Sequence, residues 1–130
     1  MNILIYLAFI KKQEYNFNNK HLVLLKNKFP EIFFFDLDNY SKPELFQYAT
    51  KAMEESTKAL LFIDFIEPEK YLPTLNWIEV QLKKNKKLSL FLLNQNLPNQ
   101  FSILEKKYST QIRLFSGINE AIEDMPAFFN

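Results

Sequence analysis

Lys58-Ala59-Leu60-Leu61-Phe62-Ile63-Asp64-Phe65-Ile66-Glu67 is the stretch that decides the fold. Its apolar residues run on without the alternation of a half-exposed strand. A run of that length and kind reads as a strand covered on both faces. It closes on the acidic residues Asp64 and Glu67, so its far end meets polar surroundings.

Shorter apolar runs lie on either side. Asn2 to Ile10 reads NILIYLAFI and is almost wholly apolar; Glu31 to Leu37, Leu88 to Leu93 and Gln111 to Phe115 follow the same logic. Between them the apolar residues change to helical spacing. Asn18 or Asn19 can cap a first helix that carries Leu22, Leu25 and Phe29 and stops at Pro30. Ser41-Lys42-Pro43-Glu44 reads as a capping box with proline in the first turn, opening a helix to about Ser56 that buries Leu45, Ala49, Ala52 and Met53. Pro68 and Pro73 mark a connection. A third helix then ends near Lys84 with Leu72, Leu75, Ile78 and Leu82 inward. A fourth spans about Asn99 to Tyr108, and a last one carries Ile118, Ala121, Ile122, Met125 and Phe128. Arg113 within the fifth strand predicts an edge position.

Strands alternating with helices predict a parallel sheet with right-handed crossovers. The expected architecture is a single α/β domain over 1–130. It is a three-layer sandwich with a five-stranded parallel sheet in the order 2-1-3-4-5 and helices on both faces. Such sheets bind ligands beyond the strands' carboxyl ends, where the winding reverses. Lys11, Lys12, Asp64 and Glu67 are the polar residues expected there.

Composition excludes several chemistries. The 130 residues hold one glycine, one histidine and no cysteine. A glycine-rich phosphate cradle, a thiolate nucleophile, a disulfide and a cysteine-based metal site are therefore absent. The lone histidine, His21, falls within an apolar helix pattern, and no metal centre or catalytic triad is expected from it. Arg113 is the one arginine, so a bidentate phosphate clamp is not expected. A net charge of +1 carries no footprint for nucleic acid. The first strand is too short to span a bilayer and lacks a basic leader and a cleavage site. The expectation is a cytoplasmic chain with no membrane association and no bound cofactor. Fourteen Phe, six Tyr and one Trp exceed what one core absorbs easily, which suggests an apolar surface for a partner protein or a second copy.

Ile63-Asp64-Phe65-Ile66-Glu67-Pro68 resembles the run around the phosphoacceptor of response-regulator receivers, with Asn94 and Ser116 near that family's switch positions. The first strand ends in Ala8-Phe9-Ile10-Lys11, without the acidic pair that holds Mg²⁺. This resemblance implies a degenerate receiver-like domain that is not phosphorylated.

A second resemblance covers more of the chain. Met53-Glu54-Glu55-Ser56-Thr57-Lys58-Ala59-Leu60-Leu61-Phe62-Ile63 is similar to the helix-to-strand passage of Toll/interleukin-1 receptor (TIR) domains. Tyr71-Leu72, Trp77 and Glu79-Val80-Gln81-Leu82 look like that family's following helix. The related nucleoside 2-deoxyribosyltransferases open on a strand like Ile5-Tyr6-Leu7-Ala8. The resemblance implies a flavodoxin-type fold and two alternatives for function. One is an interaction or signalling module, by analogy in bacterial defence. The other is an enzyme that cleaves an N-glycosidic bond in NAD or a related nucleotide, as hydrolase or transferase. Glu79 would then be the catalytic carboxylate, with Asp64, Lys11 and Trp77 lining the nucleotide pocket. A carboxylate suits that chemistry because the transition state is oxocarbenium-like. Trp77 and Glu79 are two positions apart, hence about 200° around a helix, so they should face opposite ways.

Overall fold

The computed structural model describes residues 1–11, 19–66, 70–93 and 97–130. Five strands, β1 (Asn2–Phe9), β2 (Phe33–Asp38), β3 (Lys58–Phe65), β4 (Ser89–Leu93) and β5 (Ile112–Phe115), form one sheet in the order β2-β1-β3-β4-β5. Every pairing is parallel, with Leu4 opposite Leu60 and Ala8 opposite Asp64 between β1 and β3. Five helices alternate with the strands: α1 (Lys20–Lys28), α2 (Pro43–Glu55), α3 (Leu72–Lys84), α4 (Asn99–Lys107) and α5 (Ile118–Phe129). The chain is a three-layer α/β sandwich of flavodoxin-like topology, as expected.

Strand alternation sorts the core into two halves. Ile3, Ile5, Leu7 and Phe9 of β1 and Leu61, Ile63 and Phe65 of β3 face α2, α3 and α4. Leu4, Tyr6 and Ala8 with Leu60 and Phe62 face α1 and α5. β1 and β3 are buried along nearly their whole length, which is why both read as continuous apolar runs. β5 is an edge strand, where exposed Arg113 reaches Asp124 of α5 at 3.1 Å.

Several local expectations change. Asn19 is the cap of α1, its Oδ1 accepting from the Leu22 N–H at 3.1 Å. The capping box at α2 does not form. Ser41 Oγ accepts instead from the Asp38 N–H at 2.9 Å, tightening the turn behind β2 and leaving Lys42 at the cap. Pro43 still occupies the first turn. Pro73 lies inside the first turn of α3, not in the connection. Leu45 and Leu72, expected inward, are 39% and 52% exposed, because each sits in a first turn just past the reach of the sheet.

The aromatic residues divide as alternation requires. Phe35 packs toward α2, Phe34 toward α1, and Phe33 stands 48% exposed on the β2 edge. Phe128 and Phe129 are consecutive, and a single helix face does not usually bury both. Both instead rest against the α1/α5 half of the core, their rings in edge contact at 4.8 Å in the last turn of α5.

Candidate functional site

Asp64 is the one acidic residue that alternation turns into the α1/α5 half of the core from β3. It sits opposite Ala8, one residue before the strand ends. It is only 5% exposed. A carboxylate that deep must be met by donors. Two arrive from other elements. The Tyr6 hydroxyl, on the neighbouring strand, donates to Asp64 Oδ2. His21, in the first turn of α1, brings Nδ1 to 2.7 Å from the same oxygen. A carboxylate only accepts, so the shared proton belongs to Nδ1.

Burial, together with the charge and hydrogen bond of Asp64, pushes the Tyr6 hydroxyl far above its ordinary range, while an Asn19 side-chain hydrogen bond pulls the other way. Tyr6 therefore remains a donor at any physiological pH. His21 is raised as well: the hydrogen bond to Asp64 leads, and partial burial opposes it. Asn19 joins cap and site, since its Oδ1 holds the start of α1 and its amide contacts Tyr6. The end of β1 is held just as tightly. Ile10 N–H donates to Asn39 Oδ1 at 2.8 Å, and Asn39 Nδ2 donates back to the Ile10 carbonyl at 3.0 Å.

This cluster lies where β1 and β3 end side by side and the winding reverses, the place the topology marks for ligands. Asp64 was singled out in the sequence for that position. Tyr6 and His21 were not. The signals were a lone phenol inside an apolar strand and an imidazole one turn past the β1 connection; only the fold brings them to Asp64.

The other residues singled out lie elsewhere. Lys11 follows Ile10 and is partly buried at the end of β1. Lys12, Glu67 and Asn94 fall outside the described residues. Ser116 precedes α5 and bonds Glu120. Trp77 faces α2: its Nε1 donates to Thr50 Oγ1 at 3.1 Å and its ring meets Phe46 edge-on at 5.0 Å. Trp77, Phe46, Pro43, Thr50, Asn39 and Ser41 line a cleft of about 370 Å³ between α2 and α3. Glu79 faces α4, where Lys107 Nζ lies at 2.8 Å and the Tyr108 hydroxyl at 3.1 Å. Those donors hold the Glu79 carboxyl below its ordinary range, the Lys107 hydrogen bond first. Trp77 and Glu79 thus point to opposite flanks of α3, and the sheet separates both from Asp64. The structure does not gather the four into one pocket. No group of three or more His, Asp or Glu suited to a metal ion occurs among the described residues. No described helix is long and apolar enough to cross a membrane.

Comparison with protein-family models, with curated proteins and with solved structures finds no match.

Proposed function

We propose that this chain is a small TIR-like interaction module that works by pairing with a second copy of itself. The observation that carries the reading is the outer face of α3 and α4. Leu72, Val80 and Ile103 stand there 52%, 55% and 65% exposed. Asn76 and Glu79 join them into one surface, since both border the depression beside Val80 and the one holding Leu72 and Ile103. Large apolar side chains grouped on one face favour a partner over water.

The same face carries both charges, Glu79 and Lys107, and the amides of Asn76 and Gln100. A two-fold contact sets each patch against its own copy, so acid can meet base and amide can meet amide. The rival reading needs Glu79 to be free and to share a cavity with Asp64, Lys11 and Trp77. The ion pair of Glu79 to Lys107 and its separation from the other three favour the module.

Sedimentation velocity across a concentration series tests this. The expected result is a reversible dimer that Ile103→Asp and Val80→Glu convert to monomer while the circular dichroism spectrum is kept. A wild-type chain that stays monomeric at high micromolar concentration overturns the reading. Release of nicotinamide from NAD that disappears in Glu79→Gln would put the glycosidase in its place.

A further inference from the structure

We propose that His21, Asp64 and Tyr6 form a general-base site for hydrolysis of small uncharged esters, with His21 Nε2 as the proton acceptor. The site stands apart from the α3–α4 face, which lies across the sheet. The parts are in the order that base catalysis requires. Asp64 is buried and accepts the hydrogen bond from Nδ1–H at 2.7 Å, so in the neutral imidazole Nε2 is the unprotonated nitrogen. Tyr6 holds the same oxygen from behind, which keeps Asp64 from turning away. Nε2 makes no hydrogen bond among the described residues, and the His21 side chain is 34% exposed. Buried orienter, aligned ring and open nitrogen converge at the mouth of the winding reversal.

Two features narrow the substrate. Asp64 and exposed Asp36 both lie on this side of the sheet, Asp36 opposite Tyr6 in the register and offset by Lys26, so these groups offer an anionic ligand no excess of positive charge. An acyl carbon is attacked by water directly once a base removes the proton. In that step the water oxygen bonds to the acyl carbon while Nε2 takes the water proton. The C–O bond to the alcohol then breaks with its electron pair on oxygen, and the imidazolium returns the proton to that oxygen. Water and ester become acid and alcohol, and His21 is restored. His21 is the catalytic residue; Asp64 and Tyr6 are positioning residues.

Among the described residues, the charged and titratable groups around His21 are Asp64 of β3 and Tyr6 of β1, with Asp36 of β2 and Lys26 of α1 further along the same side. The raised affinity of His21 for a proton places the active, neutral form at higher pH than for a free imidazole.

Because His21 is the only histidine and cysteine is absent, any imidazole chemistry reports on one residue. The test is hydrolysis of p-nitrophenyl acetate by the full chain, against N-acetylhistidine methylamide at equal concentration. The expected rate is about 10²-fold above the free imidazole, within the range of positioned general bases. It should rise with pH to a plateau with a midpoint above that of the free compound. Asp64→Asn should lower the plateau about tenfold or more and move the midpoint down, which loss of packing alone would not do. A wild-type rate no greater than the free imidazole overturns the proposal and needs no variant. So does a folded His21→Gln chain that keeps the wild-type rate.

Discussion

Asp64 and Glu79 stand on opposite faces of one sheet. Asp64 points from β3 into the α1/α5 half of the core, where Tyr6 and His21 meet it; Glu79 points from α3 toward Lys107 and Tyr108 of α4. The separation follows from alternation. Phe62 and Asp64 share one side of β3, and Leu61, Ile63 and Phe65 take the other, against which α3 packs. No side-chain rotation brings the two carboxyls together.

The Glu79 pair is therefore expected to behave as a surface salt bridge. Its side chain is 35% exposed and that of Lys107 is 56% exposed. Glu79→Gln should cost about 0.5 kcal/mol at neutral pH, in the range of exposed pairs. The folded carboxyl is held below the ordinary value of 4.5, so this stability is present above that value and fades as pH falls through the lower, folded one. Urea unfolding of wild type and Glu79→Gln at pH 7 and pH 3 checks it. The gap should close in acid; a gap that persists there would mean the carboxyl does something other than pair.

His21 carries the opposite sign. Its folded proton affinity is above the ordinary value of 6.5, so the protonated pair with Asp64 stabilises fully below that value and is lost as pH rises through the folded one. His21→Gln should thus cost most at pH 5 and least at pH 9. The imidazole is one-third exposed, so the excess at low pH should not pass about 1 kcal/mol. Denaturation midpoints of both chains at the two pH values measure it. A gap that widens with rising pH would contradict the pairing.

The contrast between these residues shows what was readable in the chain. Strand and helix order followed from local pattern, since β1 and β3 are buried on both faces and their apolar runs say so directly. Asp64 could be placed because a strand end is also a local feature. His21 could not, because its partner is 43 residues away and nothing in Lys20-His21-Leu22 points to a carboxylate. Helical spacing alone reads His21 as part of an apolar stripe. The same limit explains Leu72 and Leu45: periodicity finds the stripe, but the sheet's extent decides where the stripe stops being covered. Ser41 had a good capping sequence, yet its hydroxyl accepts from the Asp38 N–H instead.

Phe101 is the packing residue of greatest expected consequence on the α4 side. It is 1% exposed and meets Phe9 at 5.5 Å and Phe65 at 5.2 Å, both near perpendicular. These contacts tie α4 to the ends of β1 and β3. Phe101→Ala should cost about 3–5 kcal/mol through lost burial and the cavity left behind. Phe101→Leu should recover much of this. Chemical denaturation measures both, and a loss under about 1 kcal/mol for the alanine variant would mean that the aromatic cluster is not packed as described.

Gln111 offers the sharpest test of a polar contact inside the fold. It is 8% exposed, just before β5, and its Nε2 reaches the carbonyls of Leu82 at 3.2 Å, Asn85 at 3.0 Å and Leu88 at 3.1 Å. Two of those carbonyls belong to the end of α3, where helix geometry leaves acceptors short of partners; that of Asn85 also accepts from the Leu88 N–H at 3.2 Å. One amide thus closes α3, starts β4 and anchors β5. Gln111→Ala should cost about 1–3 kcal/mol by stranding buried acceptors. Gln111→Glu should be worse at neutral pH, because a carboxylate has no proton to offer three oxygens and must be desolvated. Its folded affinity for a proton would be raised, so stability lost at pH 7 should return as pH falls through that raised value. Denaturation of the three chains between pH 4 and pH 8 separates the cases. A Gln111→Glu chain as stable as wild type at pH 8 would show that the amide proton donors are not what holds these elements together.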